Sequence, residues 1–169
     1  MRILTASLAL VLVSATGGCD SGTSAPSVSA DIKPTAVGQT GKAEGVEITV
    51  TAAKTRGQIG PAGAGLTAGP EETFVVVNYT IKNTSATPLV YFDRPMLTLQ
   101  DGNGQTYAPD IAASGIGTIM TDPTGGVSDL NPGVSAKTDA VWKIARSGYD
   151  AKTWKVVVAT DPAIVFALK

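Results

Sequence analysis

From residue 45 onward the chain repeatedly alternates apolar and polar side chains at period two, the spacing of half-buried strands. In Gly45–Ala52, Val46, Ile48, Val50 and Ala52 share one face and predict a first strand. Thr73–Asn83 (TFVVVNYTIKN) predicts a longer one, with Val75, Val77, Tyr79 and Ile81 on one face. Phe74 and Val76 make its first half apolar on both faces, so that half needs cover on both sides and belongs inside the domain. Pro88–Phe92, Met96–Gln100 and Gln105–Tyr107 predict short strands, the last two joined by the hairpin sequence Asp101-Gly102-Asn103-Gly104. After the turn at Asn131-Pro132-Gly133, Val134–Ile144 points Ala136, Thr138, Ala140, Trp142 and Ile144 inward, and Ser135, Lys137, Asp139 and Lys143 outward. Trp154, Val156 and Val158 mark one further strand, and Ile164, Phe166 and Leu168 another. No helical period of convincing length follows residue 20. About seven to eight short strands separated by turns predict an all-β fold, a sandwich, with a barrel as the alternative.

Two long connections interrupt this pattern. Gly57–Pro70 is glycine-rich, and so is much of Ala108–Gly133. Within them, Gln58–Gly69 and Ile111–Thr121 contain no ionisable residue, which is unusual for exposed loops. Their apolar side chains, Ile59 and Leu66 in one and Ile111, Ile116, Ile119 and Met120 in the other, fit no predicted strand face. Either they fold back as a lid on the sandwich, or they meet at one end as an uncharged patch that docks an envelope protein or a small apolar ligand.

The N-terminus has a different grammar. Met1-Arg2, an apolar run from Ile3 to Val13 and the small residues Ser14–Gly18 follow the order of a secretory signal, and the run is too short to span a bilayer. Small residues directly before Cys19 resemble the lipobox of bacterial lipoproteins, with Thr16 where that family usually carries leucine. The resemblance implies that residues 1–18 are removed and that Cys19 becomes a lipid-anchored N-terminus. Residues 19–42, rich in Ser, Thr, Pro, Gly and Ala, are expected to form a flexible tether reaching a few nanometres, and 43–169 the folded domain. Stable anchoring takes more than one acyl chain.

Composition narrows the chemistry. The chain has no histidine and a single cysteine, so His-based triads and His/Cys metal sites are excluded, and Cys19 has no partner for an internal disulfide. No metal or cofactor is expected. Loss of Arg2 with the signal leaves 12 basic residues (13 − 1) against 14 acidic ones, with no basic run, so nucleic acid is not an expected partner. Asp93, Asp101, Asp110, Asp122 and Asp129 all lie in turn-rich sequence, where aspartate bonds locally. No pair has a spacing that demands a hydrolase's facing carboxylates. A binding module is therefore expected ahead of a passive spacer, a carboxylate-dependent hydrolase comes last, and no catalytic residue is assigned.

VVVNYTIKN ending at Asn83, LTLQDGNGQTY over Leu97–Tyr107, and Asn131-Pro132-Gly133 before a strand occur in this order. Together they resemble the bacterial domain of unknown function 4352, over approximately residues 45–168. The resemblance implies an immunoglobulin-like (telokin-like) sandwich common in exported lipoproteins, and it carries no established activity. A direct test of the anchor follows: in the native host, Cys19→Ser should release the protein into the medium or periplasm, or leave it unprocessed. Detergent partitioning identical to the parent, with the signal removed, would rule out lipidation.

Overall fold

The computed structural model describes residues 32–169; the expected signal, Cys19 and the first part of the tether lie outside the described residues. The described residues form strands β1 (Thr40–Ala43), β2 (Val46–Arg56), β3 (Gln58–Ile59), β4 (Leu66–Thr67) and β5 (Glu72–Asn83). Then come β6 (Leu97–Gln100), β7 (Thr106–Tyr107), helix α1 (Ile111–Thr121), β8 (Ser135–Ala145), β9 (Lys155–Val158) and β10 (Ile164–Ala167). One sheet has the order β1-β2-β5-β8 and the other β10-β9-β6-β7, while β3 and β4 make a small hairpin of their own. All pairings between these strands are antiparallel. Named by chain order, the second sheet is G-F-C-C′ and the first carries A-B-E, the arrangement of an immunoglobulin sandwich. Strand D should follow C′ and pair with E. Helix α1 stands in its place.

The doubly apolar strand is β5, and it is central, with β2 on one side and β8 on the other. Its inner face packs Val75, Val77 and Ile81 with Trp142, Leu99, Val156 and Phe166 in the main core. The indole Nε1 of Trp142 donates to the Tyr107 carbonyl at 2.9 Å, which satisfies its one polar atom. The outer face has a second, smaller core: Phe74, Val76 and Val141 lie under Ile59 of the β3–β4 hairpin and Ala113 of α1. The two-sided cover demanded by Phe74 and Val76 is therefore one sheet below and a hairpin plus a helix above.

Three local expectations are corrected. Ile111–Thr121 is a helix rather than a loop, with the Asp110 side chain accepting from Ala113 N at 3.0 Å as its N-cap. Gly115 and Gly117 are poor helix formers at about 1 kcal/mol each. They hide any helical period, and packing supplies what propensity lacks. In β2 the register shifts between Val50 and Ala52. Beyond this bulge the faces exchange, so Ala53 packs on the main core, whereas Ala52 pairs with Asn78 on the outer face. Pro88–Phe92 is not a strand: Leu89 makes a single bridge to Leu130, and Tyr91–Asp93 is a 3₁₀ turn.

The domain also begins earlier than residue 43. Thr35 bridges Phe166 in parallel, and β1 pairs with β2, so residues 35–42 belong to the sandwich rather than to the tether. At the end of β5, Asn83 is fully buried and acts as a keystone for the neighbouring loops. Its Nδ2 donates to the carbonyls of Thr87 (2.8 Å) and Leu130 (2.7 Å), and its Oδ1 accepts from Ser85 N at 2.9 Å.

Helix α1 closes the open edge of β8. Val141 N donates to Ser114 Oγ (2.9 Å), Asp139 N to Thr118 Oγ1 (3.1 Å), and Lys137 N to Asp122 Oδ2 (3.3 Å). Four helical residues advance about 6.0 Å and two strand residues about 6.6 Å. Side chains at every fourth helical position therefore keep step with every second strand amide. Thr118→Val preserves shape but leaves the Asp139 amide unpaired, and should cost about 1–3 kcal/mol. Val77→Ala in the main core should cost about 1–3 kcal/mol, and Lys137→Ala, whose side chain faces solvent, less than about 0.5 kcal/mol. Denaturant unfolding checks all three; a neutral Thr118→Val would dismiss the edge-closing role.

Candidate functional site

The two uncharged segments come together over the outer face of the β2-β5-β8 layer, not at an end of the sandwich. Gly60 lies against Ile116, with its hypothetical Cβ 3.1 Å from that residue's Cγ2. Of the candidate side chains, Ile59 is buried and Ile116 is half-buried, both packed in the outer core. Ile111, Ile119 and Met120 are exposed at 83, 53 and 60%, and Leu66 is partly exposed. The lid and patch readings thus divide around the helix: Ala113 and Ile116 pack inward, Ile119 faces away from the sheet, and Ile111 and Met120 are exposed on opposite flanks.

Two hollows flank α1. The first is a groove of about 300 Å³ between the N-terminal half of the helix and the segment around residues 91–97. Phe92, 89% exposed, Met96 and Ile111 form its apolar rim, while Tyr79, Thr118 and Thr138 bring hydroxyls to its lining. Burial pushes the Tyr79 phenol up to about 12, against a smaller downward pull from the Thr138 hydroxyl. Arg94 fixes the rim. Its Nη1 donates to Gly126 O at 2.8 Å and its Nη2 to Gly125 O and Ser128 O, while the guanidinium lies 4.9 Å over the Tyr91 ring. Tyr91 N in turn donates to Asp129 at 2.8 Å.

The second hollow is a cleft of about 240 Å³ on the β2 side of the helix. Its lining includes Lys54 and Arg56 from β2, Val76 and Asn78 from β5, and Asp139 from β8. Asp139, expected among outward solvated residues, does leave the main core but is only 8% exposed because α1 lies over it. Its Oδ1 accepts from Asn78 Nδ2 at 2.6 Å and its Oδ2 from Thr121 Oγ1 at 3.2 Å. Gly117 is required here, since a Cβ at that position would stand 2.9 Å from Asp139 Oδ2.

The sequence reading missed Phe92, Met96, Lys54, Arg56 and Asp139 as site residues. The signal that could have located α1, and with it both flanking hollows, is the run Ser114, Thr118, Asp122 at four-residue spacing, which marks a helix lying on a strand edge. The turn aspartates are engaged locally. Asp101 accepts from Asn103 N and Gln105 N, Asp110 caps α1, and Asp122 accepts from Gly125 N. Among the described residues no three metal-ligating side chains cluster, and no helix is long and apolar enough to cross a membrane.

These features define an immunoglobulin-like β-sandwich in which a helix replaces one edge strand. Residues 35–154 match the family described as a domain of unknown function (DUF4352), and the chain belongs to that family. It is 34% identical over 127 residues to the uncharacterized protein YxkC of Bacillus subtilis (strain 168), spanning 74% of this chain and 71% of that protein. A crystal structure of a conserved hypothetical protein from Bacillus anthracis is similar, with a TM-score of 0.66 at 22% identity, covering 79% of this chain and 94% of that one. So is an uncharacterized β-sandwich protein from Clostridium difficile 630, with a TM-score of 0.59 at 15% identity and coverage of 81% and 95%. At these identities the likeness establishes a shared fold.

Tyr79 gives the groove a pH signature. Below pH 10 the phenol is protonated in folded and unfolded chains alike. Between about 10 and 12 the unfolded chain gives up this proton and the folded one keeps it, so stability falls as pH rises through that window. Tyr79→Phe should make the alkaline fall in Tm shallower. The slope that remains includes Tyr149 and Tyr107, whose phenols burial also raises. An unchanged alkaline limb would place the Tyr79 hydroxyl in water.

Proposed function

We infer that this chain is a lipid-anchored, extracytoplasmic lipoprotein of the cell envelope, whose telokin-like domain is a protein-interaction module rather than an enzyme. Cys19 carries the lipid, the residues after it form the tether, and the groove beside α1 receives apolar side chains of an envelope protein. One observation carries this reading: Phe92, Met96 and Ile111 stand exposed around a single groove, while Ala113, Gly117 and Thr118 of the same helix are buried against the sheet. Apolar rims of this kind mark contact surfaces. Absence of histidine and dedication of the only cysteine to the lipid speak for binding rather than catalysis.

The test is site-specific photo-crosslinking in intact envelopes of the native host. A crosslinker at position 111 should give a discrete adduct, and one at exposed Val134, outside the groove, should not. Phe92→Asp should abolish the adduct with Tm unchanged, as expected for a side chain this exposed. No adduct at position 111, or equal adducts at 111 and 134, would leave a passive spacer as the better description.

A further inference from the structure

The cleft on the β2 side of α1 carries opposite charge on its two walls. On one wall, Asp139 is removed from water, yet its side chain receives only an amide from Asn78 and a hydroxyl from Thr121. It enters no ion pair among the described residues. A buried carboxylate with two neutral donors and no cation is under-compensated. On the other wall stand Lys54 and Arg56, both exposed and likewise without an ion pair among the described residues. Register places them on the outer face with the Val76 floor between, because Lys54 pairs with Val76 and Arg56 with Phe74. Gly117 lets the helix pass close over this carboxylate, since a Cβ there would sit 2.9 Å from Oδ2, and both residues line the cleft.

Size and charge then choose the ligand. At about 240 Å³ the cleft admits a molecule of a few to a dozen heavy atoms, not a folded segment. Asp139 stands in line with Asn78 and Ala52, so Lys54 and Arg56 lie two and four residues further along β2 and line the same cleft from its other wall. A molecule this small that carries both an ammonium and a carboxylate would satisfy the two walls at once. We propose that this cleft binds a small zwitterion of the amino-acid or dipeptide class, its ammonium against Asp139 and its carboxylate against Lys54 and Arg56. The cleft and the apolar groove share Asp139 as a border, and the proposal does not depend on what docks in the groove.

Calorimetric titration of the full-length protein in detergent tests it, with glycine, L-alanine, L-leucine, L-glutamate, L-lysine and L-alanyl-L-alanine as probes. At least one should saturate with a Kd below about 1 mM, and its N-acetyl and C-terminal amide derivatives should bind about tenfold or more weakly. Lys54→Ala/Arg56→Ala should weaken the best probe about tenfold or more with Tm unchanged, because both side chains are exposed. Asp139→Asn should abolish binding; if that variant is destabilised, the double variant still decides the question. Phe92→Asp should bind the probe as the parent does, so a failed docking groove and a failed zwitterion site give different results. No saturable binding by any probe, equal binding of a blocked derivative, or parental affinity in the double variant would overturn the proposal.

Discussion

The amides of Lys137, Asp139 and Val141 on the unpaired side of β8 constrain the outer half of this molecule. Buried without acceptors, each would cost on the order of 1–3 kcal/mol. An ordinary immunoglobulin sandwich meets that demand with strand D. Here Asp122, Thr118 and Ser114 meet it from a helix, and three consequences follow. The helix must approach closely, which Gly117 permits against Asp139. It must bring apolar cover for Phe74, Val76 and Val141, which Ala113 and Ile116 provide. And because a helix is rounder than a strand, it leaves a hollow along each flank.

Those hollows differ in character because they border different elements. Towards residues 91–97 the helix faces a segment held by Arg94 and carrying Phe92 and Met96, so that side is apolar with hydroxyls below. Towards β2 it faces the strand beyond the bulge, where the exchanged phase brings Lys54 to the outer face. Without that bulge the residues pairing with Val76 and Asn78 would be shifted by one, and the cation would point elsewhere. Asp139 borders both hollows. The chemistry beside α1 is thus set by one register shift and one arginine anchor, both remote from the helix in sequence.

Much of the sandwich was legible because period-two burial is local. Val75, Val77 and Ile81, the Asp101–Gly104 hairpin and the alternation through Trp142 are each readable without a partner, and each took the expected place. What was not legible depended on a second element. Ile111–Thr121 shows no helical stripe because its contact to β8 is made by hydroxyls and glycine rather than by leucines. The bulge after Val50 leaves no trace in a strand of mixed small residues. In the candidate patch, Ile119 is exposed because it lies on the helix face away from the sheet, and Ile111 and Met120 are exposed on opposite flanks, one at each hollow, whereas Ile59 and Ile116 were drawn inward by Phe74 and Val76.

The parallel bridge at Thr35 has a mechanical meaning. Thr35 N donates to Val165 O at 2.7 Å, and Ala167 N donates to Thr35 O at 3.0 Å, so the segment entering the domain lies alongside β10 before turning into β1. A pull on the chain from its N-terminal side would act along the strand direction. It would load these two hydrogen bonds together in shear, instead of opening them one after the other as a peel would. Behind them, Gly41 of β1 packs directly on Ile164 and Phe166, so slippage at Thr35 would next meet side chains seated in the core.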